Sequence, residues 1–152
     1  MQARMSNVAL SVPGALDALQ ALAKAADQGG LPPTTAELVH LRASQINGCS
    51  LCLDMHARTL RSTGETDERL FAVAAWREAP YFTDAERVAL ALTEAVTRIA
   101  DRPDPVPDEL WTEATRHYDE PALAALLLAI ANVNVWNRLN VATRQIAGSV
   151  PR

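Results

Sequence analysis

Apolar residues recur every three or four positions along most of the chain, the spacing of helices buried on one face, and no stretch alternates apolar and polar residues long enough to form a strand. After Pro13, the stripe Leu16, Leu19, Leu22 and Ala25 predicts a helix that Gly29-Gly30 ends, followed by a linker, Leu31-Pro32-Pro33. Thr34 with Glu37 has capping-box spacing and opens a second helix through Leu38, Leu41 and Ala43 to Asn47-Gly48. A third helix starts near Cys49 and runs past His56 and Leu60 to Gly64. Thr66-Asp67 caps a fourth, through Leu70, Val73 and Trp76 and ending before Pro80. Thr83 and Glu86 repeat the capping-box spacing ahead of Val88, Leu92, Val96 and Ile99. Asp101 to Pro107 holds three prolines and reads as a loop; Asp108 to Tyr118 is a short amphipathic helix, and Pro121 opens a long apolar one reaching Ile146.

The pattern predicts an all-α, single-domain helical bundle of six or seven helices spanning 1–152. Composition agrees: 49% of the 152 residues are hydrophobic, enough for one core, and only 5% are aromatic, with abundant Ala and Leu. A formal charge of -4 supplies no basic footprint for nucleic acid or anionic membranes. The apolar run Ala122 to Ala131 is about half a membrane span and leads into Asn132, Asn134 and Asn137, so it reads as a buried helix. Met1 to Val12 lacks the apolar stretch and cleavage site of a secretory signal. A cytoplasmic protein with no nucleic-acid or membrane partner is expected.

The two cysteines, Cys49 and Cys52, are too close together to staple a fold of this size, since so short a loop hardly restrains the unfolded chain. Such a pair points to redox chemistry or metal binding. On a helix, positions three, four and seven apart share a face, which places Cys49, Cys52 and His56 on one stripe. A helix N-terminus favours thiolate over thiol, and His56, one turn beyond Cys52, supplies a base near neutral pH. Cys52 is therefore the candidate nucleophile and Cys49 the resolving thiol: attack on a peroxide oxygen gives a Cys52 sulfenic acid, which condenses with Cys49 to a disulfide and water. Zinc is the competing reading, with Cys49, Cys52 and His56 joined by His40 or His117. Structural zinc sites draw a second ligand pair from a matching motif, and none exists here.

Glu37, Cys49, Cys52 and His56 match the Glu-x11-Cys-x2-Cys-x3-His pattern of the alkylhydroperoxidase D-like proteins of the carboxymuconolactone decarboxylase superfamily. The stretch Leu38-Val39-His40-Leu41-Arg42-Ala43-Ser44-Gln45-Ile46-Asn47-Gly48-Cys49 resembles the signature of its small single-domain branch, and Trp76-Arg77-Glu78-Ala79, Phe82 to Arg87 and Asn134 to Arg138 also fit. The resemblance implies an all-helical homo-oligomer, trimer or hexamer, with thiol-dependent peroxidase activity. In it Cys52 is peroxidatic, Cys49 resolves, and Glu37 and His56 relay protons. A hydroperoxide is the implied substrate and an external dithiol or thioredoxin-like protein the reductant; no haem, flavin, metal or other cofactor is implied. This chain carries Leu51 where the well-known peroxidases of the family have a histidine between the cysteines. A decarboxylase or lactone-type enzyme of the same superfamily, or a non-catalytic redox or zinc-binding oligomeric module, are the alternatives.

From residues alone Glu37 reads as the capping-box partner of Thr34, and only the resemblance adds the relay role. His40 and His117 read as surface or structural residues. Trp76 and Trp136 read as core or interface anchors that could line an apolar pocket, and Asn134, Asn137 and Arg138 as polar residues facing subunit contacts.

Overall fold

The computed structural model describes residues 2–149 and, among these, contains eight α-helices and no strand. They are α1 (Val8–Ser11), α2 (Ala15–Ala26), α3 (Pro33–Asn47), α4 (Ser50–Ser62), α5 (Asp67–Ala72), α6 (Asp84–Thr97), α7 (Asp108–His117) and α8 (Glu120–Thr143). The expected all-α architecture is therefore present. The expected span of 1–152 has both its ends, residue 1 and residues 150–152, outside the described residues. The additional helix, α1, is one turn capped by the Asn7 side chain on the Ala9 amide, too short to show a period in the sequence.

Several boundaries differ from the periodicity for local reasons. The helix expected from Pro13 begins at Ala15, because Gly14 adopts φ 79° and turns the chain into it. The helix expected through Trp76 stops at Ala72 and tightens into a 3-10 turn, Val73–Ala75. Ile99 lies beyond α6 in a second such turn. α8 ends at Thr143 and not near Ile146: Arg144 takes φ 55°, and the Gln145 amide closes back on the Asn140 carbonyl at 2.9 Å. The capping box at Thr83 and Glu86 is formed in full, and Thr66 caps α5 through the Arg69 amide.

The box expected at Thr34 and Glu37 is absent. α3 starts two residues earlier, at Pro33, with Pro32 and not Thr34 at the cap position and no side-chain cap, which places Thr34 inside the first turn. The Glu37 carboxylate is thereby released from the backbone and turns to α4.

α3 packs against α4, α6 and α8 and is buried on more than one side. Leu38 and Leu41 enter a cluster with Leu60, Leu70, Val73, Trp76, Phe82 and Leu90, whereas Val39 enters another with Leu92, Leu123, Leu126 and Ile130. Each fully buried Leu contributes about 1.5–3 kcal/mol, so α3 is the element on which both clusters depend. Gly29 marks a close approach: a Cβ there would lie 2.5 Å from Ala125 Cβ and 2.7 Å from the Pro121 carbonyl, so only glycine lets the turn after α2 reach α8. Of the described helices, α8 alone has the length and mean hydropathy (1.4) of a membrane span, and 56% of that window is buried within the protein.

Buried polar groups tie the helices together. Glu94 on α6 accepts Trp76 Nε1 at 2.9 Å, Arg42 Nη2 at 2.7 Å and Arg77 Nη1 at 2.9 Å, joining α3 and the 3-10 turn to α6. Asn47 Nδ2 donates to Asn134 Oδ1 at 3.0 Å and Asn137 Oδ1 at 2.9 Å, while Asn137 Nδ2 donates to Ser44 Oγ at 3.0 Å. Arg138 Nη1 donates to Asn134 Oδ1 at 2.8 Å. Asn134, Asn137 and Arg138 thus find partners within the chain, and subunit contacts are not needed to explain them.

Candidate functional site

The turn between α3 and α4 sets the position of the cysteines. Gly48 caps α3 at φ 68°, a left-handed conformation that L side chains rarely adopt, and the Cys49 amide returns to the Ser44 carbonyl at 3.0 Å. The chain enters α4 at once, with Cys49 as its N-cap residue and the Cys52 amide donating to Cys49 Sγ at 3.4 Å. Cys49 and Cys52 are joined as a disulfide across a Cα–Cα distance of 5.4 Å, and both are buried. Asn140 Nδ2 of α8 donates to Cys52 Sγ at 3.4 Å. In the reduced state that donor, with the positive end of the α4 dipole, favours negative charge on Cys52 Sγ.

The same hairpin brings Glu37 on α3 beside His56 on α4. His56 Nδ1 and Glu37 Oε2 are 2.8 Å apart, a hydrogen bond that holds the imidazole by one nitrogen. His40, one turn along α3, places Nδ1 3.5 Å from Glu37 Oε1, within ion-pair range but without hydrogen-bond geometry, and its ring centroid lies 4.8 Å from that of His56. Partial burial disfavours the Glu37 charge, but the two imidazoles more than offset it and hold the carboxyl down at about 2. Glu37 is an anion at any physiological pH.

Glu37, His40, Cys52 and His56 border one cleft of about 400 Å³. The rest of its wall is largely apolar: Leu16 and Ala23 from α2, Leu51 and Met55 from α4, Val133 and Trp136 from α8. The volume suits a small organic molecule with an apolar body. Leu51 is buried in that wall at 4% exposure, so the position between the cysteines adds apolar surface.

The four residues singled out in the sequence, Glu37, Cys49, Cys52 and His56, are thus brought together. The structure adds three more. His40, which reads from the sequence as a surface or structural residue, stands at i+3 from Glu37, a spacing that puts the two on one face of α3. Asn140 follows Asn137 by one turn of α8, and Asn132 lines the cleft with its Oδ1 buried and without a hydrogen-bond partner. Their packing against α4 and α3 has no local sequence signal. His117 pairs with Glu113 at 3.2 Å on α7 and takes no part in the cleft. Trp76 is buried against Glu94, and Trp136 lines the cleft.

Comparison of the fold places these features in a known class. The solved structure of ATU0492 from Agrobacterium tumefaciens, a protein of unknown function assigned to antioxidant defence as AhpD, superposes with a TM-score of 0.89 at 33% identity, covering 98% of this chain and 100% of that one. The protein is alkylhydroperoxidase D-like in fold and cysteine motif. It belongs to the carboxymuconolactone decarboxylase family, whose model matches residues 13–95. Uncharacterized protein YdfG of Bacillus subtilis is 37% identical over 137 residues, covering 90% of this chain and 92% of YdfG. Alkyl hydroperoxide reductase AhpD of Streptomyces coelicolor is 42% identical over 66 residues, 41% of this chain and 37% of that protein.

Proposed function

We propose that this protein is a thiol-dependent peroxidase that reduces organic hydroperoxides. The observation that carries the reading is the meeting of Cys52 with the hydrogen-bonded pair Glu37–His56, 2.8 Å apart, on one largely apolar cleft. The Cys52 thiolate attacks the terminal peroxide oxygen, the O–O bond breaks, and the departing alkoxide takes a proton from the His56–Glu37 pair and leaves as an alcohol. Cys52 is then a sulfenic acid. The Cys49 thiol displaces its hydroxyl as water, giving the disulfide present in the structure. An external dithiol or thioredoxin-like protein returns two electrons and two protons and is itself oxidised to a disulfide. The steps need no metal or organic cofactor. Large exposed apolar side chains, among them Leu10, Val12 and Phe71, support assembly of the protomer into a homo-oligomer, a trimer or hexamer.

Hydroperoxide consumption with a dithiol reductant tests the reading. Wild type turns over and Cys52→Ser does not; full activity in Cys52→Ser overturns the assignment. Turnover of a carboxymuconolactone-type substrate by a Cys49→Ser/Cys52→Ser variant would instead favour a decarboxylase or lactone-type enzyme.

A further inference from the structure

His40 has no part in the peroxidase steps, yet it stands with two residues that do. The geometry points to a divalent transition-metal site of the zinc class, formed by Glu37, His40 and His56, that competes with the proton relay for the same donor atoms.

The donor atoms of these three side chains all lie within 4.8 Å of one another, and two of the separations are much shorter: 2.8 Å from Glu37 Oε2 to His56 Nδ1 and 3.5 Å from Glu37 Oε1 to His40 Nδ1. Zinc holds nitrogen and oxygen donors at about 2.0–2.2 Å, so donors around one ion stand roughly 3.3 Å apart in a tetrahedron. Small rotations of the two rings bring the set to that spacing. Two imidazoles and one carboxylate are a donor set that suits zinc and its neighbours and not calcium or magnesium, which take oxygen ligands.

A second observation comes from groups left unsatisfied. Asn132 is 6% exposed, lines the same cleft, and its Oδ1 has no hydrogen-bond partner; His40 Nδ1 is likewise buried without one. A buried acceptor without a partner is costly, and a metal ion or its bound water satisfies it. His40 and Asn132 also border an adjoining cavity of about 340 Å³, which leaves space on their far side. The three ligands are partly exposed, at 24%, 21% and 19% for Glu37, His40 and His56, so an ion has a way in. Cys49 and Cys52 are not ligands in this arrangement, since they are joined to each other. Occupancy takes the Glu37 oxygen and His56 nitrogen from the relay, so zinc suppresses turnover; this last clause alone rests on the peroxidase reading.

The test is zinc chloride titrated into the oxidised full chain by calorimetry, with Cys49→Ser/Cys52→Ser, Glu37→Gln, His40→Ala and His40→Gln alongside and circular dichroism to show that each is folded. One zinc per protomer is expected in wild type and in the double serine variant. Affinity should fall by more than about tenfold, the loss that even a supporting partner of a ligand causes, in the Glu37 and both His40 variants. Absence of binding, binding lost with the cysteines, or binding undiminished in both His40 variants overturns the site. Zinc that saturates the site yet leaves peroxide turnover unchanged overturns the competition. A metal-free protein with no peroxidase activity removes the functional reading and leaves the binding result standing.

Discussion

Glu37 and His56 lie 19 positions apart on antiparallel helices, and the 2.8 Å contact between them crosses the α3–α4 hairpin beside the disulfide. Two features make it possible. Gly48 reverses the chain at once, and the early start of α3 at Pro33 leaves the Glu37 side chain free of the backbone. Glu37→Gln keeps the size of the side chain but removes its charge and its ability to hold a protonated imidazole. Loss of a general acid–base partner lowers hydroperoxide turnover by about 100-fold or more, read as kcat/KM across pH, with the helical content unchanged.

Cys49 and Cys52 have separate fates after limited peroxide. Mass spectrometry of Cys49→Ser should find a sulfenic acid on Cys52, because nothing remains to condense with it, whereas wild type should show the internal disulfide. A sulfenic acid on Cys49 in Cys52→Ser, formed at the wild-type rate, would reverse the assigned roles.

Asn140 donates to Cys52 Sγ at 3.4 Å. Asn140→Ala withdraws that donor and leaves the Cys52 thiolate less stabilised. The pH profile of Cys52 alkylation in the reduced protein should shift upward; an unchanged profile would show that the helix N-terminus alone sets the thiolate.

Glu94 is held below the ordinary carboxylate range: burial opposes the charge, and hydrogen bonds from Trp76, Arg42 and Arg77 outweigh it. A carboxyl lowered in the folded state binds its proton more readily when unfolded. Its stabilisation is therefore complete above the ordinary value near 4.5 and is lost as pH falls through the folded value. Glu37 acts in the same direction between about 4.5 and about 2. Wild type should lose stability on acidification through this window, and Glu94→Gln should show a shallower slope in urea melts. At neutral pH, Glu94→Ala removes the buried acceptor shared by Trp76, Arg77 and the partly buried Arg42 and costs about 3–5 kcal/mol, a fall in Tm of roughly 6–20 °C for a chain of this length.

Gly29→Ala forces a methyl group against Ala125 and the Pro121 carbonyl. Overpacking of this kind costs about 1–3 kcal/mol and should lower Tm without altering the pH profile of turnover, since the cleft is lined by other residues.

Much of the architecture was legible because helices are local. The Thr83–Glu86 box, the Thr66 cap and the Cys49 start of α4 each involve contacts within one turn, so their residue types at their spacing suffice. For the same reason the spacing of Cys49, Cys52 and His56 puts them on one face of one helix.

Contacts between helices were not readable in that way. The Thr34–Glu37 spacing satisfies the capping rule, yet Pro33 opens the helix first, and the glutamate's true partners are His56 across the hairpin and His40 beside it. Nothing in the apolar period of α8 says that Asn140 reaches Cys52 or that Asn134 and Asn137 bond to Asn47 and Ser44 across the core. The linear order of residues determined the helices and the cysteine stripe, through hydrogen bonds that span four residues. The packing of α3 between α4 and α8 decided what surrounds the sulfurs, because those distances depend on crossing angles and burial that no local pattern encodes.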